Sequence, residues 1–99
     1  MKLKILQQAD EELYEAAKYY ENQQAGLGYK FLDEVEKHIK WIKLNPTIAC
    51  LRQGNYRRVN LKIFPYYIPY MIHKNTLWIL AIAHSYRKPN YWVERKHEI

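Results

Sequence analysis

Residues 81–92, AIAHSYRKPNYW, begin as the end of an apolar run and within one residue become a cluster of His84, Tyr86, Arg87, Lys88, Tyr91 and Trp92. A second basic group stands upstream at Arg57, Arg58 and Lys62, followed by Tyr67. A guanidinium fork grips phosphate or carboxylate through paired hydrogen bonds. Rings left exposed beside such cations serve as a stacking platform for a base or as an anchor for a protein partner. These residue types therefore suit recognition of an anionic partner. Metal and nucleophilic chemistry have no such support, because His38, His73, His84 and His97 fall in separate elements without ligand spacing. Neither a glycine-rich phosphate loop nor a Ser-His-Asp arrangement is present, and no cofactor is expected. The lone Cys50 reads as a small buried apolar residue, since no histidine is legibly paired with it.

The charge layout points the same way. The net charge is +6, yet residues 1–49 carry seven lysines against eight acids, whereas residues 50–99 carry nine Lys or Arg against two acids. No acid stands between Lys37 and Val93. Such a one-sided field favours a polyanion, either a nucleic acid or an acidic protein segment. The expectation is a single cationic patch, formed where the folded chain brings its distant arginines to one edge of a sheet. A single cysteine permits no intrachain disulfide, and the N-terminal apolar stretch is too short for a signal-peptide core, so a cytoplasmic location is expected. No window is apolar enough to span a membrane.

Ninety-nine residues suit one domain, here 1–99. KLKIL at 2–6 alternates as a short strand, and Asp10, Glu11 and Glu12 suit the positive end of a helix carrying Leu13, Ala16, Ala17 and Tyr20 on one stripe. The glycines near 24–28 reverse the chain, and a second helix follows with Leu27, Phe31, Val35, Ile39 and Ile42 until Asn45-Pro46. Strands are expected at 56–61, 66–73 and 77–84, the last apolar at nearly every position. Pro69 offers no N–H to a ladder, so it demands a bulge or an edge position in the middle strand. The fold class is α+β in two layers: a short N-terminal strand, an antiparallel helical hairpin, a three-stranded antiparallel meander, then a short C-terminal turn or helix from which Trp92 either packs on the sheet or stands exposed. Arg57 and Arg58 must point to opposite faces, one to contact an anion and the other to pair with Glu34 or Glu36.

This order of elements, with EAAKYYENQQAGLGYKFLDEVE, NP, YRRVNLKIFPYYIPY and ILAIAHSYRKPNYW in sequence, resembles the RelE/ParE superfamily of bacterial type II toxin–antitoxin toxins over essentially the whole chain. The resemblance implies a basic toxin of plasmid-stabilisation type, silenced by an acidic antitoxin that folds around it, with several of the ten tyrosines forming a recognition surface. It also implies two possible targets. In the ribosome-dependent mRNA-cleaving branch, Arg58, His84 and Arg87 would supply cations and a base for attack by the ribose 2′-OH, with Tyr86 stacking a base. However, Asn60 and Tyr67 stand where that branch leads one to expect basic residues, and Trp92 where it leads one to expect a terminal tyrosine. The ParE-like branch, which binds an essential target such as DNA gyrase and needs no nuclease site, is the closer likeness. The residues expected to touch target or antitoxin are Arg57, Arg58, Lys62, Tyr67, Tyr86, Arg87, Lys88 and Trp92. A third reading is a basic module that pairs with its antitoxin and has no target.

Overall fold

A computed structural model describes residues 1–99. Strand β1 (Lys2–Ile5) leads into helices α1 (Gln7–Gln23) and α2 (Leu27–Leu44). Strands β2 (Arg57–Asn60), β3 (Tyr66–His73), β4 (Thr76–Ile79) and β5 (Ala83–His84) follow, then a 3-10 helix (Val93–Glu98). The helical hairpin covers one face of a sheet ordered β1-β4-β3-β2, with β5 continuing beyond β4 along β3. β1 returns to pair in parallel with β4, Leu3 opposite Leu77, so the N-terminal strand closes one edge of the meander and β2 is left as the other.

Helix α1 begins at Gln7, ahead of the acidic triplet. Leu6 is buried and its N–H is held by the Ile79 carbonyl at the end of β1, while its own carbonyl accepts the first helical bond from Asp10. An anchored apolar residue thus starts the helix where the sequence offered only charge as a signal. The reversal between the helices needs Gly26 at φ +89°. Both Gly26 and Gly28 donate their N–H groups to the Glu21 carboxylate at 2.9 Å, so α1 caps the unpaired amides that open α2. A side chain on Gly28 would meet the Ala17 carbonyl at 2.6 Å, which makes this the close approach of the two helices.

Side chains alternate across the sheet. Ile68, Tyr70, Leu77 and Ile79 are fully or almost fully buried on the helical side against Phe31, Val35 and Ile42, and the Tyr70 hydroxyl donates to the Pro46 carbonyl just past α2. Tyr20, Phe31, Phe64 and Tyr66 form an aromatic cluster at one end of that layer, with ring centroids 4.8–6.3 Å apart. On the other face Trp92, with no exposed surface, inserts against Tyr56 and Tyr67 and donates its indole N–H to the Tyr67 hydroxyl at 2.9 Å. The β3–β4 hairpin turns through Lys74 and Asn75, both at positive φ, as a two-residue turn matched to strand twist requires.

The strand expected over 77–84 is two strands, and Pro69 is the reason. Pro69 turns its backbone toward this neighbour, where its carbonyl accepts from Leu80, but it has no N–H to return, and regular pairing lapses between Ile79 and Ala83. Side chains replace the missing ladder. Glu12 accepts the Ile82 N–H at 3.2 Å, and Arg95 donates to the Leu80 carbonyl at 3.1 Å.

Candidate functional site: two grooves either side of β3

The first basic group sits on the free edge strand. Arg57, on the helical side, donates to the carbonyls of Ala49 (2.6 Å) and Thr47 (3.2 Å), pinning the connection from α2. Arg58 points to the opposite face, as neighbours on a strand must. Its guanidinium lies 3.7 Å from the centre of the Tyr67 ring and donates to the Asn60 side chain, while its Nε is enclosed without a partner. Neither arginine pairs with Glu34 or Glu36, contrary to the sequence expectation. Glu36 pairs with Lys40, and Glu34, though buried, accepts the backbone N–H groups of Lys62 and Ile63 at 3.0 Å each. That carboxylate fastens the β2–β3 turn to α2 and leaves a groove of about 620 Å³ between α2 and the sheet edge, lined by Lys37, His38, Trp41, Arg58, Asn60 and Lys62.

The second group surrounds Glu12. This carboxylate lies on the inward stripe of α1 between Ala9 and Ala16, with its side chain only 14% exposed. It accepts from the Tyr91 hydroxyl at 2.5 Å and from both terminal nitrogens of Arg95 at 2.9 and 3.1 Å, with Arg87 at 3.7 Å. Arg87 also stacks 3.7 Å over the Tyr91 ring. Burial and the hydrogen bond to Glu12 push the Tyr91 hydroxyl well above the ordinary tyrosine range. Burial alone would disfavour the charge on Arg95, but the bonds and charge of Glu12 outweigh it and raise its pKa. Nearby, His84 accepts the Tyr86 N–H at Nδ1 and meets the Tyr66 ring edge-on at 4.9 Å. Burial foremost, then the neighbouring Tyr20, Tyr19 and Glu12, push Tyr66 up to about 12. His84, Arg87, Tyr66 and Tyr91 line a smaller groove of about 200 Å³ together with Glu12 and Glu15, so its charge is mixed.

The arginines therefore do not form the single patch expected of them. Arg58 lies beyond one side of β3 and the β5 exit with His84 and Arg87 beyond the other, in grooves that share no lining residue. Tyr86 is 86% exposed, and Arg87, Lys88 and Lys62 are also exposed, whereas Tyr67 and Trp92 belong to the core. No group of His, Cys, Asp or Glu is placed to hold a metal, and no helix is long and apolar enough to cross a membrane.

Comparison with known proteins meets this geometry at residues 3–89, which match the family described as the ParE toxin of the type II toxin–antitoxin system, parDE. The chain belongs to the ParE toxin family. It is accordingly a ParE-type toxin of a type II toxin–antitoxin system. A solved chain titled "Chromosomal ParDE TA system from P. aeruginosa" shares the fold, with a TM-score of 0.65 at 20% identity over 85% of this chain and 95% of that one. No curated protein matches the sequence.

In this ParE-type toxin the sequence reading missed Glu12, Arg95 and Glu34. Glu12 was assigned to the helix dipole by its position in the first turn. Its helical spacing from Ala9 and Ala16 was the signal that it turns inward. Glu34 carried no such mark, because its partners are backbone amides of a loop, and Arg95 carried none because the acid it meets stands 83 residues away. Cys50, expected in the interior, is exposed.

Proposed function

We propose that this toxin acts by binding an essential target, DNA gyrase, and that an acidic antitoxin silences it in the cytoplasm. The observation that supports binding over RNA cleavage is the separation of Arg58 from His84 and Arg87 by β3. In-line attack on one phosphodiester needs base, cation and acid within hydrogen-bond reach of the same phosphate. Here each cation is instead engaged by its own ring or carboxylate. The exposed run Tyr86-Arg87-Lys88 is a contact surface ready for a macromolecule, and the acid-free stretch from Lys37 to Val93 suits an acidic antitoxin. The structural neighbour's own ParDE title places that protein in a toxin–antitoxin system, in keeping with such a partner.

Incubating the purified toxin with gyrase and supercoiled plasmid tests the target. Cleaved DNA is expected to accumulate, less so with Tyr86→Ala and Lys88→Ala together. Unchanged supercoiling, combined with site-specific cuts on ribosome-bound message that vanish in Arg87→Ala, would transfer the chain to the nuclease reading. Growth unaffected by expression without an antitoxin would leave only the non-toxic binding module.

A further inference from the structure

Where α2 gives way to the loop before β2, four large apolar side chains face outward within residues 41–51. Leu44 is 81% exposed and Ile48 69%, and Leu51 and Trp41, the latter one helical turn before Leu44, are exposed with them. Grouped apolar exposure of this kind marks a contact with a protein or a membrane. Slack in the loop does not explain it. The Tyr70 hydroxyl donates to the Pro46 carbonyl at 3.0 Å, and Arg57 donates to the carbonyls of Thr47 and Ala49. Ala49 itself packs against the core, so Ile48, between these tethered groups, is held facing solvent.

The rim of this surface is cationic. Lys43 and Arg52 flank the run, both exposed and neither in an ion pair, while Lys40 meets Glu36 only across an exposed contact. The negative end of α2 is partly satisfied here, because Asn45 donates both its N–H and its side-chain amide to the Trp41 carbonyl. Two copies meeting through this end would set cation against cation, so the charge favours an anionic partner over a second copy. The shape favours a bilayer over a peptide. Leu44 and Ile48 protrude, and they line neither the groove that includes Trp41 nor the one that includes Leu51, so they offer no concave seat.

We propose that this exit from α2 attaches the toxin reversibly to an anionic lipid bilayer. Leu44, Ile48 and Leu51 would enter the boundary between headgroups and acyl chains, the Trp41 indole would lie at headgroup level, and Lys43 and Arg52 would meet lipid phosphates. A single weak signal gives only marginal attachment, so insertion and charge are needed together. The contact is independent of any effect on gyrase.

The test sediments the full chain with sucrose-loaded vesicles of phosphatidylcholine mixed with phosphatidylglycerol. The chain is expected to pellet with these and to stay in solution with vesicles of phosphatidylcholine alone. Leu44→Ser with Ile48→Ser, both at strongly exposed positions, should weaken the partition roughly tenfold or more while leaving the melting temperature in place. Lys43→Glu with Arg52→Glu should weaken it by roughly tenfold or more as well. Vesicles with brominated acyl chains should quench tryptophan fluorescence, and Trp41→Phe should remove that quenching. The proposal is overturned if the chain does not pellet, if neutral vesicles bind it equally well, if the serine pair binds like the parent, or if quenching persists without Trp41. Sedimentation that quickens with protein concentration in the absence of lipid, and no longer does so in the serine pair, would overturn it in favour of a second copy of the chain.

Discussion

Replacing Glu12 by alanine is the most demanding test of how this toxin holds together. The substitution removes the acceptor of the Ile82 N–H and of the Tyr91 hydroxyl, and it strips the counter-charge from Arg95, whose side chain is 16% exposed. Removing one member of a buried ion pair costs about 3–5 kcal/mol, because the survivor stays desolvated and unpaired. For a domain of this size each kcal/mol lowers the melting point by roughly 4–8 °C. Thermal unfolding followed by circular dichroism should therefore show a fall of more than about 12 °C. Glu15→Ala serves as the control. Glu15 is exposed one helical turn on and makes no hydrogen bond or ion pair, so its loss should stay within about 0.5 kcal/mol. The pairing itself is measured by the double variant Glu12→Leu with Arg95→Met, which should lose less than the sum of the single changes by about 1–3 kcal/mol. The Ile82 N–H and Leu80 carbonyl are still orphaned in that variant, so recovery should be partial. If Glu12→Ala melts within about 2 °C of the parent, the carboxylate does not seal the break between β4 and β5, and the explanation of that break through Pro69 loses its second half.

Gly28→Ala sets two magnitudes against each other. Alanine gains about 1 kcal/mol of helix propensity, but its Cβ would lie 2.6 Å from the Ala17 carbonyl and 2.9 Å from the Glu21 Cβ, so a net loss of about 1–3 kcal/mol is expected in urea unfolding. A more stable variant would show that the helices separate freely at this point. Alkaline unfolding follows from Tyr66. Its pKa in the fold, about 12, exceeds the unfolded value near 10, so the folded chain retains that proton through the interval between them. The associated stability is complete below pH 10 and disappears as pH rises through about 12. Tyr66→Phe should flatten the fall of the urea midpoint over that range, and an equally steep fall would remove Tyr66 as its source.

Both helices and the meander were legible because each is a local pattern: an apolar stripe with a breaker after it, or an alternation bounded by turn residues. The run from Leu77 to His84 was misread as continuous because a strand buried on both faces shows no periodicity that would reveal a gap. The clue lay on its neighbour, at Pro69. The same limit explains the cationic patch. An acid-free stretch counts charges but cannot show that Arg57 is taken by the carbonyls of Thr47 and Ala49, or that Arg87 and Arg95 share an acid some 75 to 83 residues away. Backbone acceptors carry no letter in the sequence. Trp92 was left between two readings, and its indole bond to Tyr67 places it in the interior. The family signature survived these misreadings because it rests on the order of short motifs rather than on where their side chains point.

Trp92 and Arg95 also impose a timetable on synthesis. Glu12 leaves the ribosome 83 residues ahead of Arg95, and Tyr56 and Tyr67 emerge well before the indole that covers them. Until the tail appears, a nascent toxin carries an uncovered aromatic face and an inward carboxylate with no counter-ion. The molecule becomes native at its two ends together, so a stalled or clipped chain lacking the final dozen residues would be a sticky intermediate in place of a smaller toxin.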